Sequence, residues 1–174
     1  AVPVEEMRGD TTWFVKERFG LFIHWGLYAM GARGEWLKLG HKDYEERYFH
    51  RFDPDLYNPE AWADAAAYAG MKYFVVTTKH HDGFCLCDSS LTDYKAPNTP
   101  AGRDLIKPLV AAFRQRGFKT GFYHSLIDWH HPHYAIDPHL HPLRAAPNRD
   151  ELNKIRNHAL YIRYLHDSVR EILT

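Results

Sequence analysis

Three apolar runs punctuate the chain, and segments of helical spacing separate them. The clearest is Tyr73-Phe74-Val75-Val76-Thr77-Thr78, where both side-chain faces are apolar or Thr and the length suits a buried strand better than a helix. Gly20-Leu21-Phe22-Ile23-His24-Trp25-Gly26 reads as a buried strand ending in a His-Trp-Gly corner, and Lys119 to Ile127 reads as a third. The expected strands are about 20–25, 71–79 and 119–126.

Helices are expected between and after them. Asn58 is a cap with Pro59 at the first helical position, Trp62, Ala65, Ala66 and Ala69 share a face, and Gly70 supplies the stop. Leu105, Ile106, Leu109, Ala112 and Phe113 mark the next helix, stopped at Gly117, with Pro108 confined to its first turn. Asn148 and Glu151 have the spacing of a capping box, opening one long helix over about 149–173 with Leu152, Ile155, Ala159, Ile162, Val169 and Leu173 facing the core. Nearer the start, Asp10 or Thr11 caps a short helix through about Arg18, with Trp13 and Phe14 on its buried side. Residues 41–52 read as a charged, Tyr-rich, mostly surface helix, and residues 1–9 as irregular.

Strand and helix alternate three times. One-sided helices between two-sided apolar strands imply an α/β fold: a parallel sheet of (βα)3 alternation with right-handed crossovers, in a single domain over 1–174. Three strands do not close a barrel. A complete eight-stranded α/β barrel takes about 250 residues, so the expectation is an incomplete, TIM-like (β/α)8 barrel.

In a parallel sheet the carboxyl ends of the strands face one mouth, and there the chain places its polar and aromatic groups. They are His24-Trp25, then Lys79-His80-His81-Asp82-Gly83-Phe84, then Tyr123-His124 with Asp128-Trp129. Adjacent histidines leaving a strand are expected on opposite sides, one toward a pocket and one bracing a loop. Asp82, before Gly83, is expected to brace the turn through backbone N–H groups. The loop carrying Glu35 and Trp36 would overhang the mouth. Residues 82–103 form a long loop of the kind that is functional or disordered. His130, His131, His133, His139 and His141 crowd another irregular stretch, but intervening prolines and the lack of regular spacing argue against a preformed metal site.

Composition narrows the ligand. Lys plus Arg and Asp plus Glu both number 22, so no global basic field draws nucleic acid or an anionic membrane. No apolar run reaches membrane-spanning length, and no signal-peptide pattern opens the chain, which begins at Ala1 rather than Met, as if processed or trimmed. Cys85 and Cys87 are too close for an ordinary disulfide and too few for a structural zinc site, which favours a reducing compartment such as the cytoplasm. Histidines, one carboxylate and several indoles suit a neutral polyhydroxylated ligand, with rings on its C–H faces and His and Glu on its hydroxyls.

The ordered motifs resemble the α-L-fucosidase family of glycoside hydrolases over nearly the whole chain. They are Phe19-Gly20-Leu21-Phe22-Ile23-His24-Trp25-Gly26-Leu27-Tyr28, Gly34-Glu35-Trp36, Trp62 with Ala69-Gly70, Lys72-Tyr73 through Phe84, Arg103-Asp104-Leu105, and Gly121 to Leu126 with Asp128-Trp129. The resemblance implies a (β/α) barrel binding terminal L-fucose, with His24, Glu35, Trp36, His80 and His81 on positions that line the fucose subsite. Tyr123 or His124 would lie beside them, and Trp129 is a further substrate-binding candidate. It also implies cleavage with retention by two carboxylates about 5–5.5 Å apart, without metal or other cofactor. The family's nucleophile is an Asp on the strand after the third long helix, and its acid/base lies further on. The chain is therefore expected to be truncated, to hold the recognition residues without the bond-breaking pair, and to self-associate through its unpaired strand edges. A catalytically silent fucose-binding or structural module is the alternative expectation, and a metal-binding protein using the histidine loop a third.

Overall fold

The computed structural model describes residues 10–174; the expectation for residues 1–9 lies outside the described residues. Three strands, β1 (Gly20–Ile23), β2 (Tyr73–Lys79) and β3 (Lys119–His124), form one parallel sheet in the order β1-β2-β3. Among the described residues six α-helices accompany it: α1 (Thr12–Lys16), α2 (Tyr44–Tyr48), α3 (Pro59–Tyr68), α4 (Ile106–Gln115), α5 (Arg149–Lys154) and α6 (His158–Leu173). The α/β alternation is that expected from the sequence.

The core lies between the sheet and the pair α3 and α4. Phe74 of β2 stacks on Phe113 of α4 with ring centroids 4.1 Å apart, and Ala63, Ala66, Leu109 and Ala112 close around them, all buried. Small residues on α3 and large ones on α4 let the helices approach the sheet and each other without voids. Outside, Arg116 joins them by donating to Asp64 at 2.6 Å and Glu60 at 2.7 Å. Asn58 caps α3 by accepting from the Ala61 N–H at 3.0 Å, with Pro59 at its first position, as the sequence signals.

Several local expectations are corrected. β1 is half-exposed rather than buried, because it is an edge strand; Phe22 is 51% exposed. Trp13 is half-buried while Phe14 is exposed. On α3 the buried positions are Ala63 and Ala66, while Ala65 and Ala69 face outward. The single long helix is in fact two: Asn157, not Asn148, provides the working cap, accepting from the N–H groups of Ala159 and Leu160, and it restarts the chain as α6. Accordingly the core stripe is Tyr161, Leu165 and Ser168, while Ile155 and Leu173 are exposed. Tyr44 of α2, placed on the surface by its charged neighbours, is fully buried. The long loop at 82–103 is neither open nor irregularly packed: Phe84, Cys85, Leu86, Tyr94 and Ala96 are core residues, and Cys85 exchanges backbone bonds with Tyr94 and Ala96. Cys85 and Cys87 are not joined in a disulfide. Among the described residues no helix is long and apolar enough to cross a membrane.

One glycine carries the geometry of the strand-end turn. Gly83 has φ +87°, and a Cβ there would lie 2.5 Å from both Asp128 Oδ1 and His130 Cβ. Gly70 has a similar φ of +84° with open space around it. Gly83→Ala is therefore expected to lower unfolding free energy by about 2–4 kcal/mol, combining backbone strain with steric displacement, against about 1 kcal/mol for Gly70→Ala. Urea titration of the two variants checks this, and equal losses would contradict it.

Candidate functional site

The groups at the carboxyl ends of the three strands meet. His24 Nε2 lies 2.9 Å from His80 Nε2, and the His80 ring stands 3.9 Å from the His81 ring in a T-shaped contact. Trp36 stacks on His81 at 4.5 Å, and Trp129 approaches the same imidazole at 4.2 Å. Tyr123 lies flat against His80 at 5.4 Å and touches Phe22 and His24. Six of the eight residues singled out in the sequence, His24, Trp36, His80, His81, Tyr123 and Trp129, thus form one continuous imidazole and aromatic surface.

Glu35 joins this surface differently. Its backbone carbonyl accepts a 2.6 Å bond from His81 Nε2, which fixes the tautomer and leaves His81 Nδ1 without a proton. With His24 and Tyr28 it lines a shallow cleft of about 270 Å³. His124 does not join. Its Nδ1 is 2.9 Å from Thr78 Oγ1, on the opposite side of β3 from Tyr123, as strand alternation requires.

The expectation for the histidine pair is corrected. His80 and His81 both reach the mouth, because β2 ends at Lys79 and pairing with β3 is irregular between Thr77 and Lys79. The bulge consumes one residue of the alternation and the chain turns directly afterwards. The brace is Lys79 instead. Its ammonium donates to Asp128 Oδ2 at 2.9 Å, with both side chains essentially buried, and stands over the rings of Tyr161 and Tyr164. Asp128 Oδ1 accepts the backbone N–H groups of His130 and His131, and the Trp129 N–H donates to His81 O at 2.8 Å.

A second buried lysine clamps the same turn from the other side. Lys38 Nζ donates to Asp82 O at 2.8 Å and to Glu45 Oε1 at 2.5 Å. Asp82 braces the turn as the Asp-Gly pair implied: Oδ1 accepts from the Phe84 N–H, and Oδ2 accepts from Tyr44 Oη at 2.8 Å. Burial opposes ionisation of Glu45, but bonds from His130 and Lys38 prevail and bring its carboxyl down to about 2. Lys38, Tyr44 and Tyr28 were missed as site residues. Tyr28 had a signal, standing four residues after His24 in the turn that follows β1; Lys38 and Tyr44, on a charged segment, had none.

Burial, reinforced by the neighbouring imidazoles, holds His80 down to about 3, and burial holds His81 down to about 4. Both are therefore neutral at ordinary pH; the donor of His81 is engaged by the Glu35 carbonyl, which leaves its Nδ1 as an acceptor, and His80 Nε2 is engaged with His24. Among the described residues no group of three or more His, Cys, Asp or Glu side chains is placed to hold a metal ion.

A parallel α/β sheet with such a surface at its strand ends defines a small-ligand mouth of the barrel type. Comparison with known proteins gives the family. A family model described as alpha-L-fucosidase matches residues 4–174. Tissue alpha-L-fucosidase of Macaca fascicularis is 35% identical over 155 residues, covering 78% of this chain and 33% of that protein. Alpha-L-fucosidase isoenzyme 1 of Paenibacillus thiaminolyticus superposes with a TM-score of 0.88 at 53% identity, over 94% of this chain and 39% of that one. A Bacteroides thetaiotaomicron alpha-L-fucosidase, solved as a covalent intermediate trapped with 2-fluoro-fucosyl fluoride, superposes at 0.76 with 31% identity, over 95% of this chain and 39% of that one. The chain belongs to the α-L-fucosidase family, and its three-stranded sheet corresponds to the N-terminal part of that family's catalytic barrel. It spans about a third of the length of the curated relatives it matches.

The buried histidines have a thermodynamic consequence. His80, His81, His124 and His141 are all held below the usual imidazole value, to between about 3 and about 4, chiefly by burial. Below about pH 6.5 the unfolded chain takes up protons that the folded chain refuses, so stability falls as pH drops toward 4. Asp82, raised by burial, acts in the opposite sense. Urea midpoints between pH 7 and pH 4 are expected to fall with an uptake of more than one proton; a midpoint constant from pH 6.5 to pH 4.5 would contradict this.

Proposed function

We propose that this chain carries the fucose-recognition wall of a retaining α-L-fucosidase-type glycoside hydrolase acting on terminal L-fucose. The observation that carries the reading is the continuous surface of His24, Trp36, His80, His81 and Tyr123 at the strand ends. Neutral imidazoles with mixed donor and acceptor nitrogens bind sugar hydroxyls, and the exposed faces of Trp36 and Tyr123 take the apolar side of the ring. Glu35 and Trp129, whose buried indole packs against His81, complete the recognition set. Retention is supported by the covalent intermediate trapped in the Bacteroides relative.

The bond-breaking carboxylates come from outside the three strands described. Retaining cleavage needs two carboxyl groups about 5–5.5 Å apart and open to the sugar. Asp82 and Asp128 are buried and committed to Tyr44 and to Lys79, and Glu45 to Lys38 and His130. A second reading, a fucose-binding or structural module that self-associates, is favoured by the outer edges of β1 and β3, which pair with no strand among the described residues.

Titration calorimetry with L-fucose, run beside hydrolysis of 4-nitrophenyl α-L-fucoside and sedimentation, tests both. The expected result is fucose binding weakened about tenfold or more by His81→Ala, consistent with loss of one or two hydrogen bonds. Turnover by the chain alone, abolished by His81→Ala, would sink the silent-module reading, and a stable monomer at micromolar concentration would sink self-association. Absence of fucose binding in the parent chain would overturn recognition itself.

A further inference from the structure

His24 and His80 face each other nitrogen to nitrogen. The two Nε2 atoms are 2.9 Å apart, and the ring centroids, at 4.5 Å, are closer than two imidazoles meeting in a straight line allow. The rings are therefore tilted about the contact, with planes 62° apart. One Nε2 carries the shared proton and the other accepts it. Nothing on His80 fixes which, because its Nδ1 is buried and has no hydrogen-bond partner. The neighbouring imidazoles are committed: His81 Nε2 donates to Glu35 O at 2.6 Å, and His124 Nδ1 is engaged with Thr78 Oγ1 at 2.9 Å.

Two nitrogens that close have the spacing of neighbouring ligands on one metal ion. Imidazole nitrogens lie about 2.0–2.1 Å from a divalent transition metal, so two at 90° in a square-planar or octahedral shell stand about 2.9 Å apart. Tetrahedral ligands at the same distance stand about 3.3–3.4 Å apart, so zinc would have to spread the pair. Tetragonal Cu²⁺ needs no such movement. It also heads the affinity order of the divalent first-row metals, and imidazole suits it. Binding requires only a change of tautomer: the shared proton passes from Nε2 to Nδ1 of the same ring, both Nε2 lone pairs go to the metal, and no proton leaves the protein. The surroundings admit a cation. His24 is exposed and lines the shallow cleft of about 270 Å³, where Glu35 supplies a carboxylate and, among the described residues, no Lys or Arg forms part of the wall. Two protein nitrogens are fewer than a structural metal site uses, so the ion would exchange with solvent rather than reside.

We propose that His24 and His80 form a two-imidazole site for an exchangeable tetragonal divalent transition metal, Cu²⁺ above all, at the mouth of the sheet. Tyr123, stacked on His80 at 5.4 Å, and Phe22, 5.3 Å from His24, border it. Because the same two rings belong to the surface read above as a fucose wall, metal and sugar exclude each other. That consequence rests on the fucose reading; the metal site itself does not.

The test adds Cu²⁺ to the intact, isotopically labelled chain and follows the paramagnetic broadening of its side-chain resonances. The chain has 13 histidines, so the position of the first ion decides more than its affinity. A substoichiometric addition is expected to broaden His24, His80, Tyr123 and Phe22 before His130, His131, His133 or His139. Titration calorimetry with Cu²⁺ in a non-coordinating buffer is expected to show a tightest site that His24→Gln, at an exposed position, weakens about tenfold or more and that His139→Gln leaves unchanged. Saturating methyl α-L-fucoside is expected to weaken that site by a similar factor. Early broadening centred on the 130–141 loop, or a tightest site untouched by His24→Gln, would overturn the metal site and leave fucose recognition standing. If methyl fucoside binds without weakening Cu²⁺, the two do not share these rings and mutual exclusion is overturned. If methyl fucoside does not bind, the fucose reading falls, and the broadening and His24→Gln still decide the metal site.

Discussion

The buried ion pair between Lys79 and Asp128 is the constraint on which the rest of the mouth depends. Taking both charges out of water is expensive, and their attraction offsets that cost only where the remaining hydrogen-bond capacity is filled. Here Asp128 is filled, accepting one side-chain and two backbone donors, while the ammonium, beyond its one bond to Asp128, faces two tyrosine rings of α6. Removing one partner from such a pair costs about 3–5 kcal/mol, because the other is left as an uncompensated charge. The pair joins the end of β2 to the loop after β3, and Lys38 joins the same turn to the loop after β1. Between these two clamps the residues His80 to Gly83 have little freedom.

That rigidity sets the chemistry. The two clamps hold the imidazoles in a buried cluster where they stay neutral, and a bond to the Glu35 carbonyl assigns the tautomer of His81. Preorganised neutral donors and acceptors bind hydroxyls without the cost of desolvating a charge or ordering a loop. The Trp36 indole and the Tyr123 phenol beside them remain partly exposed, which leaves a surface for the apolar face of a sugar. Recognition and fold are thus joined at one turn: Gly83 has no room for a side chain because Asp128 occupies the space.

Much of this was legible in the sequence, for reasons that differ by element. The strands and the helices α3 and α4 were legible because their burial follows simple periods and because Asn58-Pro59, Gly70 and Gly117 punctuate them. That the strand ends carrying His24, His80-His81 and Tyr123-His124 converge followed from parallel topology, which left open whether Tyr123 or His124 faces the mouth. What was not legible depends on single irregularities. The bulge before Lys79 changes which side each later residue faces, so both histidines enter the mouth and Lys79 becomes the brace. The break at Ile155 to Asn157 moves the core stripe of the last helix, because a cap two residues inside an apolar pattern outranks the pattern. Tyr44 and Lys38 lie in a strongly charged segment whose composition reads as surface, and their burial depends on partners far away in the chain. The neutral state of the imidazoles depends on burial that no local pattern encodes.

The central claim, that the clamped strand ends form a fucose site, is tested most directly by mapping ligand contacts in solution. Titrating methyl α-L-fucoside into the isotopically labelled chain, with the imidazole, indole and phenol resonances observed, should shift His24, His80, His81, Trp36 and Tyr123 together with one dissociation constant, while His124 shifts little. Shifts that are absent from these side chains, or that centre on residues remote from the strand ends, would contradict the account.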